Sequence, residues 1–533
     1  MKKFIVNILV IFFFFNSVNI ERIGAQNSNL PVIKSNVSSI SIRDGLNLKK
    51  NFWRLAPEAK PDVYKADLIN GKTHKVTFYT DVDSISFNVE LGKKYDFIIK
   101  WGDKLCYQQI KGEKYVPKTN LDKRSQSGTE IDAAFLKKNL VKINSIDDAK
   151  NNDDLSFLKD ELDGVEILML GEQTHGDGGT FLAKTRIIKH LHETQNFNVL
   201  VFESGLADMY RVWKMIQEGE ADIDVFNYGV FPIWANSEQT VDLFKYILEQ
   251  SKTANPLIVA GFDMQPTGNN MRAGKRYTEI NNYLTSLIDF KEENYPLFTK
   301  AFKSLGFIRS KEFNEDKYKA LEKEFLDIIN SISKNDSSID GKFMMRYINN
   351  YFKTITLYSK ADLRQPSNTP HVFNIRDKVM AENFKFLKEE IYPDKKLIVW
   401  GANSHLGYGR GFLQGFNERA IQGKGMIPMG QYLKIDYQDK LYTMAFTSYE
   451  GSIGSLRGQI RNLPPSHKLT LESMIQTQGY KVGFLSMNFE SLKSLRFVSR
   501  IYGHAEMSGI WSKMCDGIFF IKTMTPNILT TKK

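Results

Sequence analysis

Cysteine is nearly absent: Cys106 and Cys515 are the only two in 533 residues, so a disulfide scaffold and a Cys-x-x-Cys metal or redox motif are both excluded. The two fall in different expected domains, and isolated thiols are predicted. Gly-x-Ser-x-Gly, the strand-to-helix elbow of a serine nucleophile, does not occur, and Ser204 lacks that frame. His-Glu-x-x-His is missing as well, since His192-Glu193 is followed by Thr194, Gln195 and Asn196. His190 and His192 are expected on the outer face of a helix. Gly176-Asp177-Gly178-Gly179 precedes a helical pattern but lacks the Lys-Ser/Thr of a phosphate loop. There is no Lys/Arg stripe interleaved with aromatics, so no nucleic-acid partner is expected.

The ends and the balance of charge come next. Met1-Lys2-Lys3 followed by a short apolar core has the layout of a secretory signal, with cleavage expected near Ala25. No cysteine would then head the mature chain, and no other stretch is long and apolar enough to span a membrane. The expectation is an exported protein, periplasmic or secreted, without a stable membrane span. Removal of Lys2, Lys3, Arg22 and Glu21 lowers the formal charge from +11 to about +9, spread as mixed-sign surface. At 533 residues with 42% hydrophobic content, the chain is expected to fill two cores. Nothing in it sets an oligomeric state.

Residues 76–110 alternate as short β-rich runs with turns at Gly92 and Gly102, which predicts a small β domain. A polar stretch over 116–130 marks a linker. The boundaries expected are a signal over 1–25, a β domain with linker over 26–128, and an α/β domain over 129–533. In the last, runs at 165–170, 199–202, 257–262 and 397–401 are apolar and stop at small or polar residues. Strands buried on both faces of a mostly parallel sheet read this way. Helical periodicity fills 181–192 and 241–248, a helical insertion is placed at about 273–390, and further strands at 443–446 and 517–522.

Ligands of open α/β sheets bind beyond the carboxyl ends of the strands. There the four runs deliver Glu172 and His175, then Glu203, then Asp263 and Gln265, and finally Asn403 and His405. Any one of these residues also suits a helix cap or a loop; their coincidence at four strand ends is what points to a site. A histidine held by a carboxylate can remove a proton from water, leaving solvent as the nucleophile. An oxyanion formed on a carbonyl then wants a cation, which Lys184 or Arg186 could supply from the following helix. The same two histidines and three carboxylates would equally suit zinc, iron or manganese.

Gly171-Glu172-Gln173-Thr174-His175-Gly176, Phe181, Arg186 and Val201-Phe202-Glu203-Ser204-Gly205 together resemble the opening of erythromycin-esterase-like proteins. The resemblance continues through Trp234, Gly261-Phe262-Asp263-Met264-Gln265, Arg376-Asp377, Val399-Trp400-Gly401-Ala402-Asn403-Ser404-His405, Pro428-Met429-Gly430 and Asp516-Gly517-Ile518. It implies an α/β core with helical additions and metal-independent cleavage of a carboxylic ester, without a cofactor. It also implies that His175 activates water with Glu172 and Glu203 assisting. The family's basic residue nine positions after that histidine falls on Lys184, where the macrolide-inactivating esterases carry arginine; planar bidentate contact is lost. His405 joins the catalytic candidates, and Arg186, Asp263, Gln265, Asn403, Trp234 and Arg376 become substrate-binding candidates.

Ala402 stands where the family's His-Asn-x-His has its first histidine, which points away from a macrolide lactone. The expected substrate is a small-molecule or glycan-linked ester. The alternatives on the same fold are a metal-dependent hydrolase, or a non-catalytic protein holding a metal, haem or glycan.

Overall fold

The computed structural model describes most residues from 131 to 530 and, before them, six strands between residues 37 and 111. The expected signal segment, its cleavage point at Ala25, the linker and the side chain of Cys106 lie outside the described residues. Two compact units emerge, Met1–Lys118 and Thr119–Lys533.

In the first unit, β1 (Val37–Asp44), β5 (Lys94–Trp101) and β6 (Lys104–Lys111) form one antiparallel sheet. A second contains β2 (Tyr64–Asn70), β3 (Thr73–Tyr79) and β4 (Ser84–Glu90).

The second unit is built on a mixed sheet. Its strands are β7 (Val141–Ile143), β8 (Ile167–Leu170), β9 (Phe197–Gly205), β10 (Ile258–Asp263), β11 (Lys396–Trp400), β13 (Leu441–Ile453), β14 (Arg461–Leu463), β15 (Val482–Ser486) and β18 (Gly517–Met524). The order is β10-β9-β11-β8-β13-β18-β15-β7, with β14 paired to β13. The first six strands of this order run parallel, while β15, β7 and β14 are antiparallel additions. A small separate sheet joins β12 (Leu413–Gln414), β17 (Met507–Gly509) and β16 (Phe497–Ser499). The α/β class and the mostly parallel sheet are as expected from the apolar runs, because central parallel strands are covered on both faces and have no polar side to show.

β11 occupies the slot between β8 and β9, and its Trp400 pairs with both Leu170 and Phe202. The carboxyl ends of β8, β11 and β9 are therefore flush, with β10 beside β9. Sequence-distant strand ends become neighbours in one row.

Helix α1 (Gly178–Gln195) follows β8, and α2 (Leu206–Gln217) follows β9. The interval after β10 holds α3 (Ala273–Leu287), α4 (Pro296–Lys303), α5 (Glu315–Asn335) and α6 (Ile339–Lys360), which share an aromatic core of Phe298, Phe302, Phe325 and Tyr351. α7 (Thr369–Phe386) packs against β10 and against α9 (Met429–Tyr437), and the one-turn α8 (Asn403–Leu406) lies between them in sequence. His192 corrects an expectation. It is buried, with Nδ1 2.7 Å from the Tyr246 hydroxyl, because the helix Val241–Gln250 covers that side of α1. Cys515 is a buried free thiol whose pKa burial pushes well up.

Candidate active site

The Glu172–His175 loop leaves β8 through Gly171 and enters α1 past Gly176, and neither glycine has room for a side chain. A Cβ at Gly171 would lie 1.9 Å from Asn403 Oδ1, and one at Gly176 2.1 Å from the Gly454 carbonyl. Asp177 pins the loop from inside, accepting from the Thr174 N–H and hydroxyl at 2.7 Å each and from His504 Nε2 at 2.9 Å. His504 reaches it from a left-handed backbone, φ 58°, a conformation uncommon outside glycine.

Glu172 is fully buried. Its Oε1 accepts from His175 Nδ1 at 2.8 Å and from Trp234 Nε1 at 3.2 Å, and its Oε2 accepts from Lys184 Nζ at 2.8 Å. With Nδ1–H committed to a carboxylate, Nε2 is the nitrogen of His175 left to take a proton. The imidazole meets Trp234 and Phe231 edge-on. Its side chain is 23% exposed, against 0% for Glu172, 4% for Glu203 and 7% for His405. Burial opposes its protonation, but the hydrogen bond to Glu172 and the charges of Glu203 and Glu172 outweigh this, so its pKa is raised above 6.5.

The second half of the site comes from β9, β10, α7 and α8. Phe373, Arg376 and Asp377 are spaced i, i+3, i+4 and so share one face of α7. Arg376 donates through Nη2 to Glu203 Oε1 at 3.0 Å, to Asp263 through Nε at 3.2 Å and Nη2 at 2.6 Å, and through Nη1 to His405 Nε2 at 3.2 Å. His405 Nδ1 donates to Asp377, 2.9 Å from each oxygen, and Asp377 also accepts from the Met429 N–H at 2.8 Å. The Ala402 N–H donates to Glu203 Oε2 at 3.0 Å. Burial would raise the Glu203 pKa, but His405, His175, Arg376 and that N–H hold it at about 2. Asp377 goes the other way, its pKa raised because burial exceeds the help of His405.

Glu172 and His175 thus form one hydrogen-bonded group and Glu203, Asp263, Arg376 and His405 a second, the two within electrostatic reach of each other through His175 and Glu203; Asp377 is an addition to the second. It was visible beside Arg376 in the sequence but had no assigned role there. Four candidates sit differently from expectation. Lys184 is fully buried, with its ammonium on Glu172, on the Gly401 carbonyl at 3.2 Å and over the Trp400 ring at 4.6 Å. It neutralises Glu172 from below and has no exposed face to offer an oxyanion; burial lowers its pKa. Arg186 points away, to Asp154 and the Ser145 carbonyl. Trp234 is fully buried and orients Glu172. Asn403 is buried and holds the loops, donating to the Phe446 and Ile501 carbonyls at 3.0 and 2.7 Å. Gln265 is not among these four: it lies just past the end of β10, with its backbone N–H donating to Asp263 Oδ1 at 3.1 Å. Ser204 is buried with its hydroxyl accepting from the Phe231 N–H, as its missing elbow implied. Among the described residues no group of three or more His, Cys, Asp or Glu is arranged to hold a metal ion.

The profile of the family described as Erythromycin esterase matches residues 192–523, more than half of the chain. The chain belongs to the erythromycin esterase family. The chain is 28% identical over 417 residues to the "Putative hydrolase YbfO" of Bacillus subtilis (strain 168), covering 72% of this chain and 89% of that one. Three solved structures share the fold. A Bacillus cereus protein matches with TM-score 0.60 at 17% identity over 75% of this chain and 98% of its own. A succinoglycan biosynthesis protein matches at 0.60 and 16%, over 75% and 100%. A mutant of the erythromycin esterase EreC in its open conformation matches at 0.56 and 16%, over 74% and 100%. Membership of the erythromycin esterase family, together with the name of the Bacillus subtilis relative, supports a hydrolase.

Proposed function

We propose that this chain is an exported hydrolase that cleaves a carboxylic ester with water activated by His175, without a metal. The observation that carries the reading is the His175–Glu172 pair: the more exposed of the two imidazoles has one nitrogen fixed on a fully buried carboxylate and the other without a partner among the described residues. The basic, then apolar, first residues support export.

Each group then has a task set by its surroundings. His175 Nε2 takes a proton from water as the water oxygen bonds to the acyl carbon. Glu172 holds the tautomer, and the negative charges of Glu172 and Glu203 favour the imidazolium that forms. Arg376, 15% exposed and fixed by Asp263 and Glu203, is the cation placed to face the developing oxyanion or the leaving oxygen. As the ester C–O bond breaks, the proton on His175 passes to the departing alkoxide. Lys184 contributes the buried ammonium that pairs with the Glu172 carboxylate at 2.8 Å. General-base assistance of this kind is worth roughly 10²–10⁴ in rate. Every carboxylate oxygen of Glu172 and Glu203 already has a donor of the chain's own, which supports a reaction run without a metal.

The test is hydrolysis of a neutral-ester panel by the purified chain, with and without chelator, beside His175→Ala. Turnover that survives chelator and disappears in the variant, with the circular dichroism spectrum unchanged, is the expected result. Turnover that survives the substitution rejects His175 as base, and loss with chelator alone shifts the reading to a metal enzyme.

A further inference from the structure

Among the described residues, Arg410 is the one buried cation in the vicinity of the site whose charge no carboxylate answers. Four arginines are buried among the described residues: Arg186, Arg276, Arg410 and Arg500. Arg186 is paired with Asp154. Arg276 lies within electrostatic reach of Asp208. Arg500 donates to the carbonyls of His504, Tyr449 and Pro464 and is influenced by Glu472. Arg410 has no carboxylate in ion-pair distance among the described residues, and its Nε, buried, has no hydrogen-bond partner. What surrounds it is soft: Met426 Sδ, 3.0 Å from Nη1, the Tyr502 ring at 4.7 Å with its hydroxyl, and the Phe373 ring at 5.3 Å.

Phe373 ties this position to the active site, because the His405 imidazole stacks on the same ring at 4.9 Å and 11°. The backbone is built to hold the arginine there. Gly409 turns the chain in the left-handed region, φ 64°, and a Cβ on it would meet the Lys513 carbonyl at 2.0 Å. Two aromatic faces, one neutral phenol oxygen and a thioether are weak compensation for a desolvated guanidinium, since none of them carries a charge and a thioether is a weak acceptor. A buried charge is ordinarily paired. The carboxylates of the reacting cluster cannot serve, since Glu203, Asp263 and Asp377 are already committed to Arg376 and His405.

We propose that Arg410 is the binding residue for an anionic group carried by the substrate, so that this site takes esters bearing a carboxylate or a comparable anion beside the scissile bond. The inference deepens the ester-hydrolase reading and rests on it for the reaction, though not for the binding of the anion. A guanidinium presents parallel donors to such a group, and hydrogen bonds between two charged partners are the strong ones, about 1.5–3 kcal/mol each. At 1.4 kcal/mol per decade that is a preference of roughly tenfold to a hundredfold.

Two substrate pairs locate the anion. 4-Nitrophenyl hydrogen adipate against 4-nitrophenyl hexanoate places it in the acyl chain, and 4-acetoxybenzoate against its methyl ester places it in the leaving group. The expected result is a kcat/KM ratio of about ten to a hundred in favour of the anionic member of one pair. The ratio falls to near one in Arg410→Gln and is partly kept in Arg410→Lys. A ratio that Arg410→Gln leaves unchanged, or an equal loss on both members of each pair, overturns the proposal. The second measurement is the thermal stabilisation of the His175→Ala protein by adipate. Stabilisation that disappears when Arg410→Gln is added supports the anion site even if no ester is turned over, in which case the esterase reading alone falls. Absence of both stabilisation and preference overturns the site.

Discussion

Glu172→Gln separates what the buried pair does for the fold from what it does for the chemistry. The carboxylate and the Lys184 ammonium are both fully buried and 2.8 Å apart. A glutamine can still accept from His175 Nδ1 and Trp234 Nε1 through its oxygen, but its NH₂ then faces the ammonium, two donors against each other. Removing one member of a buried pair costs about 3–5 kcal/mol, because the remaining charge is left uncompensated. Desolvation already lowers the Lys184 pKa, so part of that cost is relieved by loss of its proton. The double variant Glu172→Gln with Lys184→Met removes both charges at similar volume and should recover most of the lost stability. Activity should not return, because the imidazolium at His175 has lost its counter-charge; a deficit of about 10²–10⁴ in kcat is expected in both variants. Chemical denaturation followed by tryptophan fluorescence reads the first effect, since Trp234 and Trp400 touch the pair directly. Ester turnover reads the second. A double variant as unstable as the single one, or one that regains activity, would refute the reasoning.

Three further outcomes follow from the same geometry. Because the His175 pKa is raised and the base must be unprotonated, the acid limb of kcat/KM should have its midpoint above pH 6.5; the same shift makes its stability contribution greatest below the unfolded pKa and lost as pH rises through the folded one, so acid-side stability and activity diverge. Glu203, held at about 2, contributes stability that is complete above its unfolded pKa near 4.5 and is lost as pH falls toward 2, and Glu203→Gln should flatten that part of a stability–pH profile. Asp377→Asn should lower kcat, because His405 loses the carboxylate that fixes Nδ1 and with it the fixed acceptor for Arg376, the cation facing the oxyanion; unchanged kcat would make the contact merely structural.

The location of the site was legible because buried parallel strands are written as uninterrupted apolar runs, and the residue that ends each run is where the chain reaches the rim. Glu172, Glu203, Asp263 and His405 became candidates that way. Which of them would be neighbours was not legible, since it depends on β11 entering between β8 and β9, a choice made by packing and not by any local pattern. Lys184 and Arg186 show a distinction the sequence did contain. Residues two apart on a helix project about 200° apart, so both could not serve one oxyanion. That Lys184 is the inward one is decided by Trp400 and Glu172 beneath it. Asp377 gave a weaker signal, a carboxylate sharing a helical face with Phe373 and Arg376. Arg410 gave none, because the lack of a counter-ion among the described residues is a property of surroundings drawn from Phe373, Met426 and Tyr502, segments far apart in the chain.

The place of β11 between β8 and β9 also sets an order of assembly. A chain delivered from its N-terminus as far as the end of β10 holds Glu172, His175, Glu203 and Asp263, yet the two strands that carry the first three have no shared neighbour until residues 396–400 follow. Some 130 residues of mostly helical chain must be made in that interval, and their aromatic core can condense locally while the slot stays open. The last strand to enter this row brings His405 behind it and pairs with β8 and β9 in the same step. Filling of the slot between β8 and β9 and delivery of His405 to the reacting cluster therefore depend on the same stretch of chain.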